Sequence, residues 1–212
     1  SAITSPKVTQ ASVPMRFVGP MKISAQASFD AAWQEKVSVP LATYEIPLWH
    51  SVGRGARVSN LCNEGIKTTL IDERMTRSIL LEAKDAHQAL GAWQSIQMRQ
   101  QEMQDIVGQT SRFATLFNMN MQIVANLLYL RLEFNTGDAS GHNMVTHAAD
   151  SLMQWLLKQY PQLSYSSISG NYCSDKKATA VNGILGRGKY VVAELTVPRA
   201  LCERKLNTTP EK

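Results

Sequence analysis

Cysteine is scarce in this 212-residue chain. Cys62, Cys173 and Cys202 are an odd count without paired ligand spacing, which indicates neither a disulfide framework nor a zinc site. A reducing, cytoplasmic setting is the expectation that follows. Long apolar runs are missing too. None approaches the roughly 18 residues that span a bilayer, and the start carries no signal-peptide pattern, so a soluble chain with no membrane segment is expected. Charge is modest at 18% of residues against 44% hydrophobic, which excludes disordered and coiled-coil classes. Lys and Arg number 22 against 17 Asp and Glu, and the resulting +5 suits a phosphorylated small molecule as well as nucleic acid. The histidines His50, His87, His142 and His147 share no metal face: only the last two are neighbours, and a spacing of five is poor on a helix. No metal site is read.

What is present is patterned. Ala11 to Ile23 reads as an edge strand ending in a turn, interrupted by Pro14, Gly19 and Pro20. Ser51 to Leu61 reads as a helix, and Lys67 to Arg77 closes a first region. Ser78 to Ala83 then reads as a strand, followed by one long helix from Asp85 to about Thr110 with Ala86, Leu90, Trp93, Ile96 and Ile106 near helical period. Ala114 to Val124 and Leu127 to Phe134 are two more strands. In the second, Leu128, Leu130, Leu132 and Phe134 share one face, and Tyr129, Arg131 and Glu133 the other. A helix from His142 to Tyr160 buries Val145, Ala148, Ala149, Leu152 and Leu156, and a fourth strand spans Leu163 to Ile168. The order βαββαβ is the split ferredoxin-like arrangement, with its terminal strands side by side at the centre. The expected fold class is therefore α+β: a ferredoxin-like module at residues 78–167 inserted into a larger, incomplete α/β domain made of residues 1–77 and 168–212.

Chemistry concentrates in a few stretches. Ser169 to Lys177 is a small polar loop after a strand. Its adjacent Lys176 and Lys177 can serve two acceptors at once, a carboxylate and a developing alkoxide; a solvated basic turn is the plainer alternative. Glu45 sits among Tyr44, Ile46, Leu48 and Trp49. Either it is desolvated into a general acid or it faces water at a helix start. Arg54 and Arg57, three apart, share a helix face and can grip phosphates, unless that face is simply solvated. Asp138 to Asn143 puts small residues and free amides at a helix N-terminus, where a pyrophosphate can sit. Ser111 and Arg112, at a helix-to-strand junction, suit a further phosphate.

Taken together these motifs resemble the 3-hydroxy-3-methylglutaryl-CoA reductases, in particular the class that includes the eukaryotic and archaeal enzymes. The resemblance rests on Val39 to Glu45, Met75-Thr76-Arg77, Thr110 to Ala114, Gly137 to Met144, and Ser169 to Lys177, in the family's order. It implies NADPH as cofactor, in two hydride transfers that give mevalonate and free CoA. It implies Lys176 as the group that stabilises the oxyanion and Glu45 as the general acid. Arg77, Ser169, Asp175 and Lys177 would contact the hydroxymethylglutaryl group, and Ser51, Arg54 and Arg57 would grip CoA. Asp138, Gly141 and Asn143 would lie along the dinucleotide, with Ser111 and Arg112 near the 2′-phosphate. Implied partners are HMG-CoA, NADPH and either a second copy of the chain or a complementing C-terminal segment.

The sequence also departs from the family pattern. The glycine-rich segment with its catalytic aspartate and the later histidine do not follow within these residues. Ser140 stands where methionine is usual, and Ile46 where glycine is usual. The expectation is a truncated or split reductase with little activity alone. The alternative is a non-catalytic relative that binds NADPH or CoA. An RNA-binding reading fails on the strand Leu127 to Phe134, which lacks a Gly-aromatic-Gly signature, so no nucleic-acid partner is expected.

Overall fold

The computed structural model, which describes residues 9–25, 33–174 and 177–212, orders its elements as β1 (Met15–Ala25), β2 (Trp33–Ala42), α1 (Pro47–Leu61), β3 (Ile66–Glu82), α2 (Ala86–Gln97), α3 (Gln100–Thr110), β4 (Thr115–Val124), β5 (Leu127–Asn135), α4 (His142–Gln159), β6 (Ser164–Ile168), α5 (Ala180–Leu185), β7 (Gly188–Glu194) and α6 (Arg199–Leu201). It is a mixed α+β chain that divides into two units, residues 71–190 and residues 1–70 with 191–212.

In the unit of residues 71–190, alternation along β5 decides the layering. Leu128, Leu130, Leu132 and Phe134 are fully buried against the helices, with Ile79 and Leu81 of β3 beside them. Helices α2, α3 and α4 close this core with Trp93, Ile96, Met103, Val107, Leu152 and Leu156. The strands run β6-β3-β5-β4, every neighbouring pair antiparallel. The first and last strands, β3 and β6, are adjacent as expected, but they are not both central: β3 lies between β5 and β6.

Three elements differ from the sequence reading. The strand expected to begin at Ser78 begins at Ile66, because the β-branched and alternating run Ile66 to Ile71 already holds extended backbone. The single helix expected over 85–110 is two, broken at Met98 and Arg99. Ala89, Ala92, Trp93, Ile96, Met103 and Val107 keep a helical period through the break, so the apolar pattern does not register it. Arg99 makes the corner by binding the Glu102 carboxylate at 2.6–2.7 Å and lying over the Trp155 ring at 4.5 Å. Leu90, expected inward, is 40% exposed, and Ala89 takes the inward place.

In the other unit, β1 and β2 pair as an antiparallel hairpin. Residues 23–25 of β1 also pair with β3 in parallel, so β1 is not the edge strand expected. The proline is absorbed by a register shift between Val18 and Met21, where Pro20 owes the ladder no N–H. Helix α1 packs on β1, with Gly53 standing over Val18. Val58 and Cys62 form a small core with Leu201.

Candidate functional site

The second face of β5 carries Arg131 and Glu133, and both are fully buried. Two like-facing polar residues on one strand survive burial only when charge and hydrogen bonds are met locally. Here the Glu133 carboxylate accepts from Arg74 (2.6 Å), Asn118 (2.8 Å), Asn120 (2.9 Å) and Arg131. Arg74 in turn binds Asp72 through two nitrogens at 2.7 and 2.8 Å. Arg131 also donates to the Gly186 carbonyl at 2.5 Å. Two carboxylates and two guanidinium groups thus make an internally neutral quartet. Burial pushes the Arg131 guanidinium below its ordinary value, and the neighbouring Glu133 opposes that shift.

Beside this quartet the chain leaves β6 through a tight turn. Ser169, Gly170, Asn171 and Ser174 all adopt positive φ, at 90°, 50°, 61° and 42°. Gly170 fits because a Cβ there would stand 3.2 Å from the Tyr129 ring and 3.3 Å from Leu80. The Ser169 N–H donates to Ser78 O at 2.7 Å, which brings Ser169 to the same end of β3 as half-buried Arg77. Its hydroxyl lies 3.5 Å from the Cys173 Sγ. Lys177 is exposed and donates its N–H to Ser174 O at 3.1 Å. Asp175 and Lys176, the centre of the predicted anion-binding loop, lie outside the described residues.

The expected dinucleotide stretch begins α4. Gly141 is its N-cap at φ 75°, and no side chain caps the helix. Only glycine fits at 141, since a Cβ would fall within 2.5–2.7 Å of the Thr136 side chain. A cleft of about 310 Å³ opens here, lined by Asp138, Ser140, His142, Arg74, Arg187 and Lys189 among others. Lys189 forms an ion pair with Glu73. Asp138 and Asn143 are exposed. A second cleft, about 260 Å³, is lined by Ser111 and Arg112 with Gln104 and Thr115. Ser111 Oγ accepts from the N–H groups of Phe113 and Ala114, and Arg112 lies over the Phe113 ring at 4.7 Å.

In the unit of residues 1–70 and 191–212, Glu45 is exposed just before α1. The apolar enclosure considered for it is absent within this unit, and the helix-start alternative describes its surroundings. Arg54 and Arg57 do share a face, and both line a cleft of about 520 Å³ with Lys205 and Leu61. Ser51, one turn earlier on α1, is exposed. Among the described residues no three His, Cys, Asp or Glu side chains group to hold a metal ion.

A family model described as hydroxymethylglutaryl-coenzyme A reductase matches residues 6–212. The chain belongs to the hydroxymethylglutaryl-CoA reductase family. It is 42% identical over 200 residues to a 3-hydroxy-3-methylglutaryl-coenzyme A reductase of Pyrococcus horikoshii, covering 94% of this chain and 47% of that protein. To the same-named protein of Aeropyrum pernix it is 36% identical, over 94% of this chain and 46% of the relative. The chain therefore spans about half the length of the curated relatives it matches. Its fold is similar to that of a class II reductase from Streptococcus pneumoniae bound to NADPH in open conformations, with a TM-score of 0.60 at 17% identity over 79% of this chain and 44% of that one.

Sequence reasoning missed several residues that this reductase-family chain brings to its clefts. Lys205 joins Arg54 and Arg57 across about 150 residues of sequence, which no local pattern registers. Arg187 and Lys189 line the α4 cleft, and the bracketing glycines Gly186 and Gly188, both at positive φ, were the available signal. Asp72 and Arg74, a few residues before Arg77, belong to the buried quartet, which sequence spacing did not register.

Proposed function

We propose that this chain carries the NADPH- and thioester-binding part of an HMG-CoA reductase, acting in NADPH-dependent reduction of 3-hydroxy-3-methylglutaryl-CoA to mevalonate and CoA. The observation that carries the proposal is the uncapped N-terminus of α4 opening on a cleft lined by Asp138, Arg187 and Lys189, in a chain that matches the family from residue 6 to residue 212. Strand order β6-β3-β5-β4 with helices on one face supports reading residues 78–167 as a ferredoxin-like NADP-binding module. Residues 1–77 and 168–212 then form the substrate-binding division.

The residues fit a dinucleotide. The start of α4, which no side chain caps, and the neighbouring cations suit a pyrophosphate, and the Ser111 and Arg112 cleft suits a 2′-phosphate. NADPH, when bound, supplies the hydride. The chain's own residues bind and neutralise. Arg77, Ser169, Asp175 and Lys177 orient the hydroxymethylglutaryl group. Lys176 holds the oxyanion that develops on the reacting carbonyl, where a fixed cation is worth most. Glu45 delivers a proton to that oxygen. Arg54, Arg57 and Lys205 hold the phosphates of CoA, a role that their common cleft supports. Turnover takes place in the cytoplasm with a second copy or a complementing C-terminal segment as partner; the exposed Leu70, Val191 and Val192 support an association surface.

The test is NADPH fluorescence titration of the chain, followed by NADPH oxidation with HMG-CoA. Binding of both ligands with little turnover, and turnover restored by the downstream half added in trans, is the expected result. Failure to bind NADPH refutes the proposal. Binding of both ligands without restored turnover favours a non-catalytic relative.

A further inference from the structure

Helix α5 presents a problem of attachment: none of its residues is buried, so apolar packing cannot fix it. Polar groups hold both its ends. At the C-terminal end the Gly186 carbonyl accepts from buried Arg131 at 2.5 Å. Gly186 also sits so close to Asp72 that a Cβ would stand 2.8 Å from the carboxylate. At the N-terminal end Thr179 caps the helix, accepting from the Asn182 N–H at 3.4 Å. The Asn182 side chain then reaches out of the helix. Its Nδ2 donates to Ser174 O at 3.3 Å and to Lys177 O at 3.2 Å. Its Oδ1 is buried and has no partner among the described residues, so the outward role of this amide is as a donor to those two carbonyls. Ser174 and Lys177 are the residues that flank Asp175 and Lys176 in sequence.

We infer that Asn182 is a positioning residue for the lysine-bearing turn: one amide ties the carbonyls on both sides of the Asp175-Lys176 pair to α5, and the Glu133–Arg131–Gly186 link ties α5 to the sheet. Among the described residues of the turn, Ser174 stands at φ 42°, its Oγ donates to Asn171 O, and the Lys177 N–H donates to Ser174 O. These bonds are internal to the turn, while those from Asn182 reach outside it. Asn182 does not line the cleft at α4, so its loss acts on the thioester side and leaves dinucleotide binding alone. This inference rests on the functional reading given above for the lysines.

Asn182→Ala tests it in the full chain, because alanine keeps the helix and no residue of α5 itself is buried. The expected result has two parts. Amides of residues 174–178 exchange hydrogen about tenfold faster while those of β5 are unchanged, as for the loss of about one net hydrogen bond. The dissociation constant for HMG-CoA rises about tenfold, whereas that for NADPH stays within about twofold. Unchanged exchange overturns the inference, as does faster exchange with unaltered HMG-CoA affinity. An equal loss for both ligands also overturns it, since a general structural role would give that. If the unsubstituted chain binds no HMG-CoA, the functional reading fails, and the exchange comparison alone decides whether Asn182 orders the turn.

Discussion

Removing the Glu133 carboxylate isolates the strongest electrostatic commitment in the chain. Glu133→Leu strands the Arg131 guanidinium in a site with 0% exposure, with the Gly186 carbonyl as its remaining hydrogen-bond partner among the described residues. A buried charge deprived of its counter-ion costs about 3–5 kcal/mol, a large share of the ~5–15 kcal/mol that holds a typical domain folded. The reverse single change is milder. In Arg131→Met the Glu133 carboxylate keeps Arg74 at 2.6 Å and the amides of Asn118 and Asn120, so the expected cost is about 1–3 kcal/mol. In the double variant no charge is stranded, Arg74 retains both bonds to Asp72, and stability returns to within about 1–2 kcal/mol of the parent. A double-mutant cycle by urea denaturation, followed by the fluorescence of Trp93 and Trp155, reads these differences directly. The reasoning is refuted if Glu133→Leu costs under about 1 kcal/mol, or if the double variant is as unstable as the worse single one.

Other outcomes are equally specific. The hydrogen bond from Arg74 holds the Asp72 carboxyl below the ordinary carboxylate range. Its contribution is therefore complete above the unfolded value near ~3.9 and is lost as pH falls through the lower folded value, so Asp72→Asn flattens the acid limb of a urea midpoint-versus-pH curve. Gly141→Ala, at φ 75° and against Thr136, destabilises by about 2–3 kcal/mol, whereas Gly137→Ala, at φ 61° with open space around it, costs nearer ~1 kcal/mol; thermal melts compare them. Arg112→Ala weakens NADPH binding by about tenfold to a hundredfold and NADH binding little, measured by titration; equal losses would remove Arg112 from the phosphate site.

Much of the larger unit was legible because one physical rule governs it. Strand β5 alternates without exception, and α4 buries Val145, Ala148, Ala149, Leu152 and Leu156 at the predicted period. The corner at Arg99 was not legible: a helix that stops and restarts in phase leaves the apolar spacing intact, and the cause is a cation over Trp155, fifty-odd residues away. The Arg54 and Arg57 face could be read from their spacing, yet Lys205 could not. Arg131 and Glu133 were placed on the correct face of β5, but alternation normally sends such a face to water. Nothing in the local pattern says that Gly186 and Asp72 will close over it. For Glu45 the sequence left two surroundings open, and its exposure before α1 matches the helix-start one within its own unit.

The bond from Arg131 to the Gly186 carbonyl spans 55 residues. Because residue 186 follows α4 and β6 in the chain, the two faces of β5 find their partners at different points of synthesis. Leucines on the helical side find partners as soon as α4 is made, but the guanidinium stays hydrated until the chain has been extended past residue 186. A ribosome-bound intermediate that stops short of that point would hold a finished core on one side and a wet, charged surface on the other. Dehydration of that charged face therefore waits on the turn at Gly186.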